Sequence, residues 1–303
     1  MIFLQRVNDR LSLCCLAHKT DFSNDIQERQ NSEFALKVQY AARMCFNSAE
    51  KYNHLTWIAC LVSAFSVFFP SGWPMYIING IPGVADAMAL VFGRITSQKV
   101  SQASMLRKYF DSYVLDIQVD QFSESELRKI REQTERIYEN NLLDGTTQIT
   151  NTGYDSPPGV RDWYVFQKDY EGIDAQFECQ RQNTWWNSNM VKTRIITTAL
   201  GLTLISSIFL FFLTNNSILN VLLCSVGIIG RVCERLIENW KYFRISRLIE
   251  GAQQAIEVHP TTEGVAKLQN LIDARRSINV LEFGYFHKKL ANKLSKLYEN
   301  ISL

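Results

Sequence analysis

The chain has 303 residues, of which 47% are hydrophobic and 20% charged, with a formal net charge of +2 and seven cysteines. So small a charge leaves no basic excess to neutralise a phosphate backbone, which excludes bulk nucleic-acid binding as the organising function. An odd number of cysteines without zinc-ligand spacing argues against a disulfide framework or a structural zinc site and is read as reduced thiols.

In chain order, the opening "MIFLQRVNDRLSLCCLAHK" is no secretory signal, because Arg6, Asp9 and Arg10 interrupt its apolar core. From Asp25, "IQERQNSEFALKVQYAARMCFNSAEKY" lacks Pro and Gly and repeats Ile26, Phe34, Val38, Ala41 and Cys45 at helical spacing. This helix is expected to run into a stretch, 52–85, with no Asp, Glu, Lys or Arg; a second such stretch covers 195–230. Since a spanning helix needs roughly 20 apolar residues, each stretch is too long for one span and fits two joined by a turn. The turns are read at "FFPSGWPM" (68–75) and "LTNNSI" (213–218), and the spans at 55–69, 75–95, 195–213 and 217–232.

Between the hairpins, "SQKVSQASMLRKYFDSYVLDIQ" continues helical, and "SESE" at 123–126 forms a capping box for a helix through Tyr138. The Gly-, Thr-, Asn- and Pro-rich segment 143–160 is expected to be irregular, and a helix over 175–194 leads into the third span. The fourth span extends past Glu238, and two amphipathic helices follow "HPTTEG", over 262–275 and 280–298. The fold class is an all-α membrane protein: two transmembrane helical hairpins and a cytosolic helical domain assembled from N-terminal, middle and C-terminal segments. Its parts are 1–54 (cytosolic N-terminal helix), 55–96 (hairpin 1), 97–194 (cytosolic segment), 195–232 (hairpin 2) and 233–303 (cytosolic C-terminal helices). Both turns are bare of charge while the other segments carry Lys and Arg, so both termini and the middle are placed in the cytoplasm of a multi-pass inner-membrane protein.

Three constellations carry candidate function. "CQRQNTWWNS" (179–188) sets Trp185 and Trp186 side by side after Arg181; on a helix they point about 100° apart, so both cannot enter one core. They form either an interfacial aromatic belt or a cytosolic junction or ligand surface. If Trp186 and Ile195 share a helix, nine residues separate them by about 13 Å, more than the roughly 5–8 Å headgroup zone. "GVRDWY" (159–164) ends the irregular segment with Arg161, Asp162, Trp163 and Tyr164, either a structural plug or a loop that reads a signal. Asp86, near the middle of the second span, lines a conduction path, pairs with Arg231 or Arg235, or is a neutral protonated acid.

Nothing marks catalysis. The histidines at 18, 54, 259 and 287 belong to no HExxH, and no Walker-type loop, GxSxG or CxxC occurs, so no catalytic residue, metal or cofactor is assigned. "IQERQN", "GVRDWY" and "CQRQNTWW", with the two-hairpin layout, resemble the SMODS-associating four-transmembrane effectors of bacterial anti-phage signalling (CBASS). The resemblance covers the chain from about Asp25. It implies a pore-forming membrane effector that kills or arrests an infected cell when a partner nucleotidyltransferase makes a cyclic oligonucleotide. Phosphates would suit Arg161 and Arg181, and purine faces Trp185 and Trp186. Four helices with few polar intramembrane groups point to a homo-oligomer in the bilayer. The alternatives are an accessory membrane protein that anchors or inhibits a partner, and a membrane-bound hydrolase.

Overall fold

The computed structural model describes residues 22–66, 75–165, 170–215 and 218–280; the side chains at 22–24, 75–79, 119, 190, 192–195, 197, 208–210 and 212–224 also lie outside the description. Apart from one bridge between Thr152 and Arg161, the regular structure of the described residues is helical, as the sequence indicates. The helices are α1 (Phe22–Gln30), α2 (Glu33–Phe65), α3 (Met75–Leu115), α4 (Glu124–Asn140), α5 (Leu142–Thr150), α6 (Gly172–Asn215), α7 (Ile218–Ile256) and α8 (Thr262–Arg276), with a 3-10 turn at Val119–Gln121.

The first expected helix is in fact two. Ser32 adopts extended backbone (φ −61°, ψ 144°) and starts α2, as Ser favours at an N-cap, while its amide and hydroxyl both donate to the Arg29 carbonyl. From there α2 runs unbroken into the expected first span, and α3 continues through Pro82 from the second span to Leu115. The capping box is formed: the Ser123 hydroxyl accepts from the Glu126 amide while the Glu126 carboxylate accepts from Ser123.

Within the segment expected to be irregular, 142–150 is helical as α5. Gly145 lets that helix press on the rings of Tyr138 and Tyr40, where a Cβ would sit 2.8 Å and 3.3 Å away. The hydroxyls of Thr146, Thr147 and Thr150 donate to the carbonyls four residues back, so the threonines are satisfied in helical form. Tertiary packing overrides the local turn composition.

Two cores result. The larger joins Val38, Ala41 and Cys45 of α2, Leu106, Phe110 and Val114 of α3, Ile130 of α4, Tyr164, Phe177 and Cys179 around α6, Ile249 of α7 and Leu268 and Ile272 of α8. Residues from the N-terminal, middle and C-terminal segments thus share one apolar interior. The smaller lies on the two helical hairpins and is made of small groups: Ala59, Cys60, Ala64, Ala89 and Ile228. Among the described residues no helix is long and apolar enough to cross a membrane. The expected turn at 68–75, much of the third and fourth spans and the expected helix over 280–298 fall largely outside the described side chains.

Gly159 closes the loop after α5. Its amide donates to the Thr152 carbonyl at 2.6 Å, and a Cβ there would lie 1.8 Å from the Asn151 carbonyl oxygen, a backbone atom that cannot yield. Gly153, in the same loop, faces open space. Gly159→Ala is therefore expected to cost about 2–4 kcal/mol, and Gly153→Ala within about 0.5 kcal/mol, in denaturant unfolding followed by circular dichroism.

Candidate functional site

The three motifs meet. Gln27, Gln30 and Asn31 lie three and four apart, on one side of α1, and all three grip the loop 160–165. Gln30 clasps Tyr164 by its main chain: the Tyr164 amide donates to Gln30 Oε1 at 2.8 Å and Gln30 Nε2 donates to the Tyr164 carbonyl at 3.0 Å. Asp162 sits at φ 52°, in the left-handed region that Asp tolerates, and its Oδ1 accepts from Gln27 Nε2 at 2.6 Å and Asn31 Nδ2 at 2.7 Å. On the loop's other side, Arg43 of α2 donates to Gln148 and to the carbonyls of Pro158 and Gly159, each at 2.8 Å.

The Tyr164 ring is driven inward, 1% exposed, against Phe110. Its hydroxyl donates to Asp111 Oδ1 at 2.8 Å and accepts from Asn183 Nδ2, in the third motif, at 2.9 Å. Asp111 is fully enclosed, and its Oδ2 accepts from Arg276 Nη1 at 2.6 Å and Gln269 Nε2 at 3.0 Å. Gln180 extends the network by donating to Gln269 Oε1 and to the Val265 carbonyl. Side chains from α3, the loop, α6 and α8 thus converge on one carboxylate.

Electrostatics follow from that enclosure. Burial, reinforced by the Asp111 charge, holds the Tyr164 hydroxyl and the Cys179 thiol protonated, well above their usual ranges. Cys179 is accordingly an inert core thiol, not a nucleophile. For Arg276 burial works against the charge, yet Asp111 and Asp273 outweigh it and the pKa rises. Burial raises the Asp273 carboxyl to about 6, with Arg276 opposing and Asp111 adding to the rise, and its Oδ2 has no hydrogen-bond partner. Beside this hub the Arg107 guanidinium lies 4.1 Å from the centre of the Trp163 ring. Burial, then repulsion from Arg276 and Arg43, brings its pKa down to about 9, and among the described residues no carboxylate pairs with it.

The sequence-derived candidates divide accordingly. Asp162 and Tyr164 are ties of the loop, Trp163 underlies Arg107, and Arg161 is exposed with its amide on the Asn151 carbonyl. Arg181 pairs with Glu178 on its own helix at 2.8 Å. Trp185 and Trp186 are half-buried and meet edge to face, centroids 6.2 Å apart at 86°. The loop reaches α6 just before them, at Gln182 and Asn183, and Tyr242 of α7 donates to Asn187 just after them. They therefore sit between two tie points on an unbroken helix that also holds Ile195.

Asp86 lies apart, on α3 within the expected second span. Its Oδ1 is enclosed with no hydrogen-bond partner and faces Gly227 of α7, where a Cβ would stand 2.1 Å from it. Arg231 is held by Asn53 and Glu234, and Arg235 by the Asn279 carbonyl and Glu238; neither forms an ion pair with Asp86 among the described residues. Sequence reasoning missed Gln30, Arg107, Asp111, Gln269, Asp273 and Arg276. One signal was available for Asp111, a charge that falls in phase with the apolar stripe of Leu106, Phe110 and Val114.

Among the described residues no cluster of His, Cys, Asp and Glu is built to hold a metal ion. A family model described as the SMODS-associating 4TM effector domain matches residues 24–297. No curated protein and no solved structure matches the chain.

Two measurements test the hub. Tyr164→Phe strips Asp111 of one donor and Asn183 of its acceptor, and is expected to cost about 1–3 kcal/mol in denaturant unfolding while leaving helix content unchanged. The raised Asp273 carboxyl means that between pH 3.8 and about 6 the native state binds a proton that the unfolded state has lost. Stability should therefore fall as pH rises through that window, and Asp273→Asn should flatten that part of the curve.

Proposed function

The chain belongs to the SMODS-associating 4TM effector family, and from that membership we propose that it is an inner-membrane effector that permeabilises the bilayer when triggered by a cyclic oligonucleotide. The observation that carries the membrane part is an inverted distribution of side chains on the four long helices. Large apolar groups point outward: Ile58 and Val62 of α2, Val84 and Leu90 of α3, Leu200 and Leu204 of α6 and Val226 of α7, all between 46% and 76% exposed. Small or polar groups point inward: Ala59, Cys60, Ser63, Ala64, Ala85, Ala89 and Ser225 are all buried. In water this arrangement wastes the hydrophobic effect, whereas in lipid, where helices associate by close packing of small residues, it is the expected one.

The trigger reading rests on the hub. Arg107 is a half-buried cation stacked on Trp163 that forms no ion pair among the described residues; burial and then Arg276 and Arg43 lower its pKa, against the pull of Asp111. A phosphate would neutralise it and a purine would extend its stack. Loop 160–165, which presents Trp163, is tied both to α6 through Asn183 and to α3 through Asp111. Occupancy at the loop would then bias two of the proposed spanning helices directly.

The test is expression in bacteria with and without synthesis of cyclic oligonucleotides, scored by a membrane-potential dye. Depolarisation is expected only with the nucleotide, and its absence at normal membrane abundance would refute the reading. In the same assay Asp86→Asn, near-isosteric at the Gly227 contact, is expected to keep abundance while changing ion flux or cation preference; unchanged flux would remove Asp86 from the conduction path.

A further inference from the structure

Helix α7 carries two opposed faces. The one turned to its own chain holds Ile228, Arg231, Tyr242 and Ile249, all buried. The other presents Val226, Ile229, Cys233, Leu236, Trp240 and Phe243, all exposed. Their spacing alternates three and four residues without a break, the repeat by which one helix engages another through knobs into holes, and not merely a greasy face. Ile237 widens the stripe at 54% exposure.

Lipid alone does not account for this face. The expected fourth span ends at 232, and the part of the stripe from Leu236 to Phe243 lies 4 to 11 residues further on, about 6–17 Å at 1.5 Å per residue. That exceeds the roughly 5–8 Å headgroup zone, and Arg244 and Arg247 lie over the Trp240 and Phe243 rings at 5.7 Å and 5.6 Å in the same turns. A water-facing extension with its large apolar residues outward and Arg235, Glu238 and Tyr242 inward needs a cover. At the exposures given, the six large apolar side chains present on the order of 600 Å², about three quarters of the ~800 Å² per partner of a standard interface.

We propose that this stripe is the surface on which a second copy of the chain docks, α7 against α7 in parallel. The inference rests on the membrane reading, because copies inserted in one orientation necessarily lay α7 parallel. Parallel pairing also suits the flanks between Val226 and Phe243: the 3-4 repeat sets Val232 against Ile237 of the second copy and Asn239 against Arg244, an apolar pair and a neutral-to-cation pair, and the stripe ends before Arg247, which the same repeat would set against its own copy. The interface begins inside the expected bilayer and continues into the cytosolic part, where α7 packs Ile249 into the larger core, so association and the hub share one helix.

The experiment is site-directed cross-linking of the full chain in membrane vesicles, in a Cys233→Ser background. Trp240→Cys and Phe243→Cys are each expected to give dimers on oxidation and with a short bis-maleimide, whereas Lys241→Cys, exposed but off the stripe, should stay monomeric. With Cys233 restored, Trp240→Glu together with Phe243→Glu should lower the native Cys233 cross-link by about tenfold or more, the loss of roughly 1.4 kcal/mol. Equal cross-linking at 241 would mark random collision and overturn the proposal. So would monomers whose stripe thiols label freely with maleimide, which leaves the face open, or monomers whose thiols are blocked, which means lipid or another part of the same chain covers it. A periplasmic reporter signal at residue 150 would sink the membrane orientation without touching the cross-link, and dimers without nucleotide-dependent depolarisation would refute permeation alone.

Discussion

A carboxylate with no solvent exposure must be satisfied entirely by the protein, and the Asp111 carboxylate is the constraint from which the larger core is organised. Its three donors come from two places far apart in the chain: Tyr164 in the loop, and Gln269 and Arg276 on α8. Removing one partner of such a group strands charge in the interior, typically at about 3–5 kcal/mol. The middle and C-terminal segments therefore assemble together around it. Gln27, Gln30 and Asn31 then fix the loop from outside, so Tyr164 is held at its amide, its carbonyl and its hydroxyl at once.

That arrangement gives the hub mechanical reach. Asp111 and Asp86 stand on one unbroken helix, 25 residues or about 37 Å apart at 1.5 Å per residue. Asn183, bonded to the same tyrosine hydroxyl, stands on α6, which continues unbroken past Ile195 to Asn215. A long helix transmits axial displacement and rotation better than a loop does, because its backbone hydrogen bonds resist internal shear. Trp185 and Trp186, edge to face between the loop tie at Asn183 and the α7 tie at Asn187, occupy the stretch of α6 through which such a rotation passes.

Much of this was legible in the sequence because it depends on local rules. The all-helical content, the capping box at Ser123 and Glu126 and the passage of α2 into an uncharged stretch follow from propensity, capping and periodicity. The grouping of the three motifs was visible only through family resemblance, since their contacts span more than a hundred residues, as between Gln30 and Tyr164. Helix α5 escaped notice because Gly, Thr and Asn favour turns until Gly145 finds the rings of Tyr40 and Tyr138. Asp111 escaped for the opposite reason: an isolated Asp on an amphipathic helix ordinarily faces water, and only the tertiary fold brings Arg276 to it. The family match over 24–297 bears out the resemblance and the effector class.

The same physics separates the two ends of the molecule. In the larger core, buried polar groups are drawn into a connected network around Asp111, which specifies one arrangement and resists another. In the seam between the long helices, the enclosed Asp86 oxygen meets only the bare backbone of Gly227, and Arg231 turns away to Asn53 and Glu234. An unsatisfied carboxylate oxygen against a glycine is a weak point: a small separation of α3 from α7 admits water to it and lowers its free energy. The hub grips α3 near its C-terminal end, and the exposed stripe of α7 offers a handle on the other wall of the same seam. The hub and the stripe thus lie on the two helices that meet at this unpartnered oxygen, one of several enclosed polar atoms without a partner on the described long helices.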